Sequence, residues 1–159
     1  MKKIIILLTT FLLFTVVYCQ EEDVYVDDFS DLAIRKNSIY AEGLGNGIYG
    51  SLNYERLFFK VPQRVVTFRA GLSVVVNHGN FHLLIPLEMT AIFGKRHCFE
   101  TGPGLTLAPG SEERYLFFYR AGYRLRAENG IMFRVAPVFM FVPGSYSGPS
   151  AAVSLGYSF

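Results

Sequence analysis

Ser73, His82 and Glu88 are the residues of this chain whose types most readily suggest chemistry. A nucleophile, a base and an acid lie within one short stretch. A serine hydrolase acting on lipid esters can be drawn from them, with Ser73 attacking, His82 taking its proton and Glu88 orienting the imidazole. The local pattern speaks against it. No Gly-x-Ser-x-Gly elbow surrounds Ser73, and the residue two places after His82 is Leu84 rather than a serine. His78 and His82 lack a third ligand at metal spacing, and His97 stands apart from both. Cys19 and Cys98, the 2 cysteines, make neither a disulfide framework nor a metal pair. Gly43-x-Gly45-x-Gly47 copies part of a dinucleotide fingerprint, but no helix follows it. The arginines are dispersed rather than gathered into a stripe, so no nucleic-acid partner is expected. The expectation is a chain with no cofactor, no metal and no catalytic site.

The elements that would carry such residues follow from composition. Hydrophobic residues make up 51% of the chain and charged residues only 18%, with 15 Phe and 10 Tyr. Soluble domains carry more charge. A helical membrane protein needs uninterrupted apolar runs of roughly 18 residues or more. Only the N-terminus offers a comparable run. Beyond it, Gly, Pro, Arg or Glu interrupts every apolar stretch, so the apolar residues must be spread at period two. From Ser38 onward the chain divides into segments at 38–44, 48–58, 65–76, 81–93, 97–107, 115–125, 131–141 and 150–159, each bounded by turn residues. Eight segments predict a single all-β domain, an eight-stranded antiparallel up-and-down transmembrane β-barrel. In lipid such a sheet has to close, because an open edge leaves backbone groups unpaired. Proline cannot donate to a ladder, so Pro103 and Pro137 predict a bulge or local break in the fifth and seventh strands.

Parity assigns the faces. In the sixth segment Tyr115, Phe117, Tyr119, Ala121, Tyr123 and Leu125 share one side, while Arg120, Gly122 and Arg124 share the other. The third segment sets Val66, Phe68, Ala70, Leu72 and Val74 against Thr67, Arg69, Gly71 and Ser73, and the fourth sets Leu83, Met89 and Phe93 against His82, Glu88 and Thr90. A soluble lipocalin-like barrel would turn the apolar set inward. Here the small and ionic set suits a crowded interior better, so apolar-out is expected. The lumen then collects Glu42, Glu55, Glu88 and Glu100 with Arg69, Arg120, Arg124 and Arg134, drawn from seven strands. Eight strands leave an interior that side chains alone fill. Charges there must pair, and the Arg fork suits carboxylates. A salt-bridged plug is expected, which argues against a general porin.

The first residues stand outside this scheme. Met1-Lys2-Lys3, an apolar core from Ile4 to Tyr18 and a polar sequence from Gln20 predict a cleaved secretory signal peptide over 1–19. Lipidation of Cys19 is the rival, although Val16-Val17-Tyr18 lacks the small residues that normally precede a lipidated Cys. Residues 20–35 form an acidic segment holding Glu21, Glu22, Asp23, Asp27, Asp28 and Asp31. From Ile34 onward 13 basic residues face 7 acidic ones. A basic surface of this kind suits lipid phosphates, or else reflects ordinary rim charges.

Several stretches together carry a resemblance: Lys36-Asn37-Ser38-Ile39-Tyr40, Ser51-Leu52-Asn53-Tyr54-Glu55-Arg56, Phe99-Glu100-Thr101-Gly102-Pro103-Gly104, Ala121-Gly122-Tyr123-Arg124 and Ser154-Leu155-Gly156-Tyr157-Ser158-Phe159. They resemble the small outer-membrane barrels widespread in Bacteroidota, with OmpA- and OmpX-type barrels as the architectural analogy. The terminal motif, with Val153, Leu155, Tyr157 and Phe159 at alternate positions, is similar to the signal read by the barrel-assembly machinery. The resemblance implies a barrel over 36–159, a bacterial outer-membrane location with both termini periplasmic, membrane lipid and the assembly machinery as partners, and a monomer. It implies no activity. Outer loops at 45–47, 76–80, 108–114 and 142–149 would all be short, which argues against adhesion. A structural or interaction role is the leading expectation, with a lipid-modifying hydrolase and a soluble ligand-binding barrel as alternatives.

Overall fold

A computed structural model describes residues 35–61, 64–77, 80–109, 115–142 and 147–159. The signal peptide, Cys19, nearly all of the acidic segment and His78 lie outside the described residues. The described residues form eight strands: β1 Asn37–Leu44, β2 Gly50–Val61, β3 Arg64–Asn77, β4 Asn80–Phe93, β5 His97–Leu107, β6 Tyr115–Arg126, β7 Ile131–Phe141 and β8 Ser147–Ser158. Every strand pairs antiparallel with its sequence neighbour, and β1 closes on β8. Asn37 and Phe159 exchange both backbone hydrogen bonds, at 3.0 and 2.8 Å, so the last residue completes the seam. The ends of the barrel differ. One, the turn end, carries the β2–β3, β4–β5 and β6–β7 turns and the seam. The other, the lid end, carries the β1–β2 connection and the remaining loops.

Alternation places the side chains as period two requires. Phe68, Leu72, Tyr119, Tyr123, Phe139, Leu155 and Tyr157 are exposed on the outer wall, while Arg69, Glu88, Glu100, Arg120, Arg124 and Arg134 are buried inside. This overturns the soluble alternative with its faces reversed, since the enclosed side chains are largely polar and ionic. The crowding is visible at Gly104, which lies opposite Phe118 in the β5–β6 register. A β-carbon on Gly104 would collide with the Phe118 ring.

Three details refine or correct the expectation. Of the bulge or local break expected at each proline, the local break is what forms. The β5–β6 and β7–β8 registers run unbroken through Pro103 and Pro137. The missing donors are accommodated as interruptions instead, opposite Met89–Thr90 on the β4 side of β5 and opposite Ala121–Gly122 on the β6 side of β7. The register shift falls in β2, between Leu57 and Phe59. Phe58 is the extra residue there, and it points outward at 73% exposure. Beside this bulge Val65, Val66 and Thr67 are buried in succession; Val66 keeps the outward side that parity gives it, in register with Ala91, but is covered there.

The third difference is the β1–β2 connection. Strand β2 begins at Gly50 rather than at 48, because Gly45–Gly47 forms a 3-10 turn. That turn folds over the barrel mouth, touching β3, β4, β7 and β8 as well as its own strands. Gly45 and Gly47 are buried, and Ser73 Oγ donates to the carbonyls of Gly47 at 2.7 Å and Gly50 at 2.5 Å. The tight path forces positive φ on Leu44 at 61° and Ile48 at 65°. At Ile48, with ψ −74°, the Tyr49 amide donates to Gly47 O at 2.9 Å, which is a γ-turn of the rare positive-φ hand. A β-branched residue resists that conformation, so Ile48→Gly should stabilise the barrel by about 1 kcal/mol. The midpoint of urea unfolding in detergent micelles measures this, and an unmoved or lowered midpoint refutes strain at this turn.

Candidate functional site: the charged lumen

The lumen is the one place where the described residues concentrate ionisable groups away from solvent. It is built in layers. Below the lid, Leu84, Phe118, Val138 and Ala152 are buried, with Leu116 and Met140 packed on the last three. At the turn end Val65, Ile92, Cys98 and Met132 are buried. Between these apolar layers lie the eight inward charged residues expected there, and Arg126, last in β6, shares their side at the turn end.

The eight form two closed quartets. Nearer the lid, Glu42 of β1 receives Arg69 of β3 at 3.0 Å and Arg120 of β6 at 2.9 Å. Glu88 of β4 receives the same two arginines at 2.8 and 3.1 Å. The Arg69 Nη2–Glu88 Oε2 approach is an ion pair without hydrogen-bond alignment. Ser154 Oγ donates to Glu42 at 3.0 Å and Thr90 Oγ1 to Glu88 at 3.1 Å, so each carboxylate gains a neutral donor. Nearer the turn end, Arg124 grips both oxygens of Glu55, at 2.5 and 2.7 Å, and reaches Glu100 through Nε at 2.6 Å. Arg134 donates to Glu100 at 2.8 Å and stands 3.8 Å from Glu55. Each quartet has two acids and two arginines and is neutral.

Tyr40 joins the quartets. Its hydroxyl accepts from Arg69 Nη1 at 3.0 Å, and the Arg134 guanidinium lies 4.9 Å from its ring centroid. One side chain thus contacts an arginine of each group, through a hydrogen bond and a cation–π contact. Tyr40 is absent from the sequence-derived site. Its signal was parity, since it lies on β1 between Ser38 and Glu42.

Register alone does not give the pairing across the barrel. Arg69 stands directly opposite Glu55 on β2 and Glu88 on β4, and its ion pairs go to Glu88 and to the more distant Glu42. Arg124 and Arg134 face one another across β6–β7, an unfavourable like-charge pair. Glu55 and Glu100 offset it by bonding both.

The hydrolase residues do not assemble. Ser73 and His82 lie on adjacent paired strands, but Ser73 spends its proton on the lid carbonyls. Glu88 is six residues along β4 from His82, roughly 20 Å in an extended strand, and both its oxygens are engaged in the quartet. His97, at the turn end, bonds Tyr123 Oη at 2.6 Å on the outer wall.

No protein-family model matches the chain, and neither does any curated protein sequence. Among solved structures, the fold is similar to that of the Yersinia pestis outer membrane protein Ail, determined in a phospholipid bilayer nanodisc. The TM-score is 0.51 at 11% identity, over 79% of this chain and 99% of that one. The likeness is one of fold.

The quartets yield a quantitative expectation. Arg120→Ala leaves Glu42 and Glu88 sharing Arg69 alone in a dry interior, so it should destabilise the barrel by about 3–5 kcal/mol. Thermal unfolding of the variant against the parent measures this. An unchanged transition would show that the lumen is hydrated and the quartet is not what holds it.

Proposed function

We propose that this chain is a small integral outer-membrane barrel with a structural or interaction role, and that it conducts no solute. The observation that carries the reading is the inside-out distribution of polarity. Eight charged side chains are sealed inside, while Phe, Tyr, Leu and Val cover the outside. That outer wall is the surface lipid tails accept, and in bilayers strands survive only as closed barrels. The fold shared with Ail supports it, as does the sequence resemblance to small Bacteroidota barrels.

The lumen supports the denial of transport. Two neutral quartets occupy the space a solute would need, apolar layers bound them above and below, and the lid turn covers one mouth. The arrangement also gives no support to a lipid hydrolase, because the acid of the candidate set is committed elsewhere. In this reading the turn end, with both termini, faces the periplasm, the terminal strand holding Val153, Leu155, Tyr157 and Phe159 is presented to the barrel-assembly machinery, and the barrel works as a monomer surrounded by lipid.

Reconstituted into phospholipid vesicles, the protein should run faster on gels when unheated than after boiling, as a closed barrel that resists the detergent. In planar bilayers it should give no discrete conductance steps. Identical mobility with and without heating sinks the membrane reading, and stable unitary currents sink the plug.

A further inference from the structure

We infer that the turn end of the barrel carries a crescent of basic side chains that binds the phosphate headgroups of anionic phospholipids. This rests on the membrane-spanning reading above and extends it to a partner chemistry.

The crescent consists of six exposed residues: Lys36, Arg56, Lys60, Arg64, Lys95 and Arg96. The sheet brings them into succession along one side of the wall. Lys36 precedes β1, and its carbonyl accepts from the Leu57 amide at 2.8 Å. Arg56 lies opposite Asn37 at the start of β1. Lys60 and Arg64 flank the β2–β3 turn, where Arg64 pairs with Val61 and, on its other side, with Phe93. Lys95 and Arg96 form the β4–β5 turn immediately beyond Phe93. Around them sit outward aromatic pairs: Phe58 against Phe59, with centroids 5.7 Å apart, and Phe93 against Phe99, at 6.4 Å. Aromatic rings beside long basic side chains mark the level where hydrocarbon gives way to headgroups.

Charge is what points to the partner. Among the described residues the exposed acid of this end is Glu128, in the β6–β7 turn, which lies between the two ends of the crescent rather than within it. The described residues of the lid end include no Lys, Arg, Asp or Glu. A rim that only needs solvation mixes its signs. Six like charges along one arc repel one another and attract a surface of the opposite sign. Phosphate headgroups at a bilayer surface supply it, with each Lys or Arg near an anionic leaflet adding about 1 kcal/mol. Arg56 faces the apolar wall and reaches that level by extending along it.

The test is electron spin resonance of the protein in phosphatidylcholine vesicles, with spin-labelled phosphatidylglycerol or spin-labelled phosphatidylcholine as the probe. Phosphatidylglycerol should associate with the immobilised shell about five-fold more strongly, and high salt should erase most of the preference. Lys60→Gln, Arg64→Gln, Lys95→Gln and Arg96→Gln combined should bring the two lipids to parity. If the combined variant does not fold, Arg64→Gln and Arg96→Gln singly should each lower the preference. Heat-modifiable mobility in the same vesicles reports insertion separately. A protein that inserts and associates equally with both probes overturns the inference while leaving the membrane reading intact. One that does not insert overturns both.

Discussion

The interior of an eight-stranded barrel is just wide enough for side chains to fill, so charges enclosed there must pair with one another. This chain encloses four carboxylates and four guanidinium groups, all buried. Any one of them alone would be prohibitively costly. They are tolerable only as closed sets, and the two quartets are the smallest arrangement in which each acid meets two bases and each base two acids. Because Glu42 bonds Arg120 across the barrel and Arg124 bonds Glu55 across it, the quartets also tie non-adjacent strands together. The backbone ladder fixes neighbours, and the ion pairs fix the cross-section.

That dependence explains which parts of the structure were legible in the sequence. Strand number, facing and the eight inward charges all follow from period two, because a one-residue slip would move arginines into the apolar wall. What period two cannot encode is a local departure from it. The extra residue at Phe58 carries no Gly or Pro to announce it, whereas the prolines mark ladder breaks without shifting the register. Partner choice was equally hidden. Side chains long enough to cross a narrow lumen are not confined to their register neighbours: Arg69 keeps Glu88, opposite it on β4, but bypasses Glu55 on β2 for Glu42. The lid is a third case. Gly45-Asn46-Gly47 signals a turn, but nothing in it says that the turn folds inward onto Glu42 and Ala152, where a β-carbon on Gly45 would stand 3.0 and 2.8 Å from them.

The lid and the apolar layers belong with the quartets as one device. Ion pairs in contact with water are weak and exchangeable, and their strength here depends on dryness. Leu84, Phe118, Val138 and Ala152 on one side, with Val65, Ile92, Cys98 and Met132 on the other, exclude the solvent that would otherwise screen them. The strained backbone at Leu44 and Ile48 is the cost of bringing the β1–β2 turn over the mouth, and Ser73 secures it there through two carbonyls. A channel needs the opposite of each feature: an open mouth, wet walls and unbalanced charge.

The same reasoning separates inner from outer charges. Inside, four positive charges meet four negative ones, so the core presents no net field to its surroundings. The crescent at the turn end, with six positive charges on one side of the rim, therefore acts undiminished by the arginines beneath it. Arg35 shows how the chain itself uses that rim. Its guanidinium donates to the carbonyls of Ser158 at 2.7 Å and Glu128 at 3.0 Å, and lies over the Tyr157 ring at 5.4 Å. It thereby pins the entry of the chain to the seam beside β8, while the next residue, Lys36, bonds β2 on the other side. One arginine at this end is used in closing the barrel, whereas the crescent starts beside it at Lys36 and runs around the wall to the β4–β5 turn. A neutral core and a one-sided rim together make the turn end, and not the lumen, the part of this barrel from which electrostatic attraction extends outward.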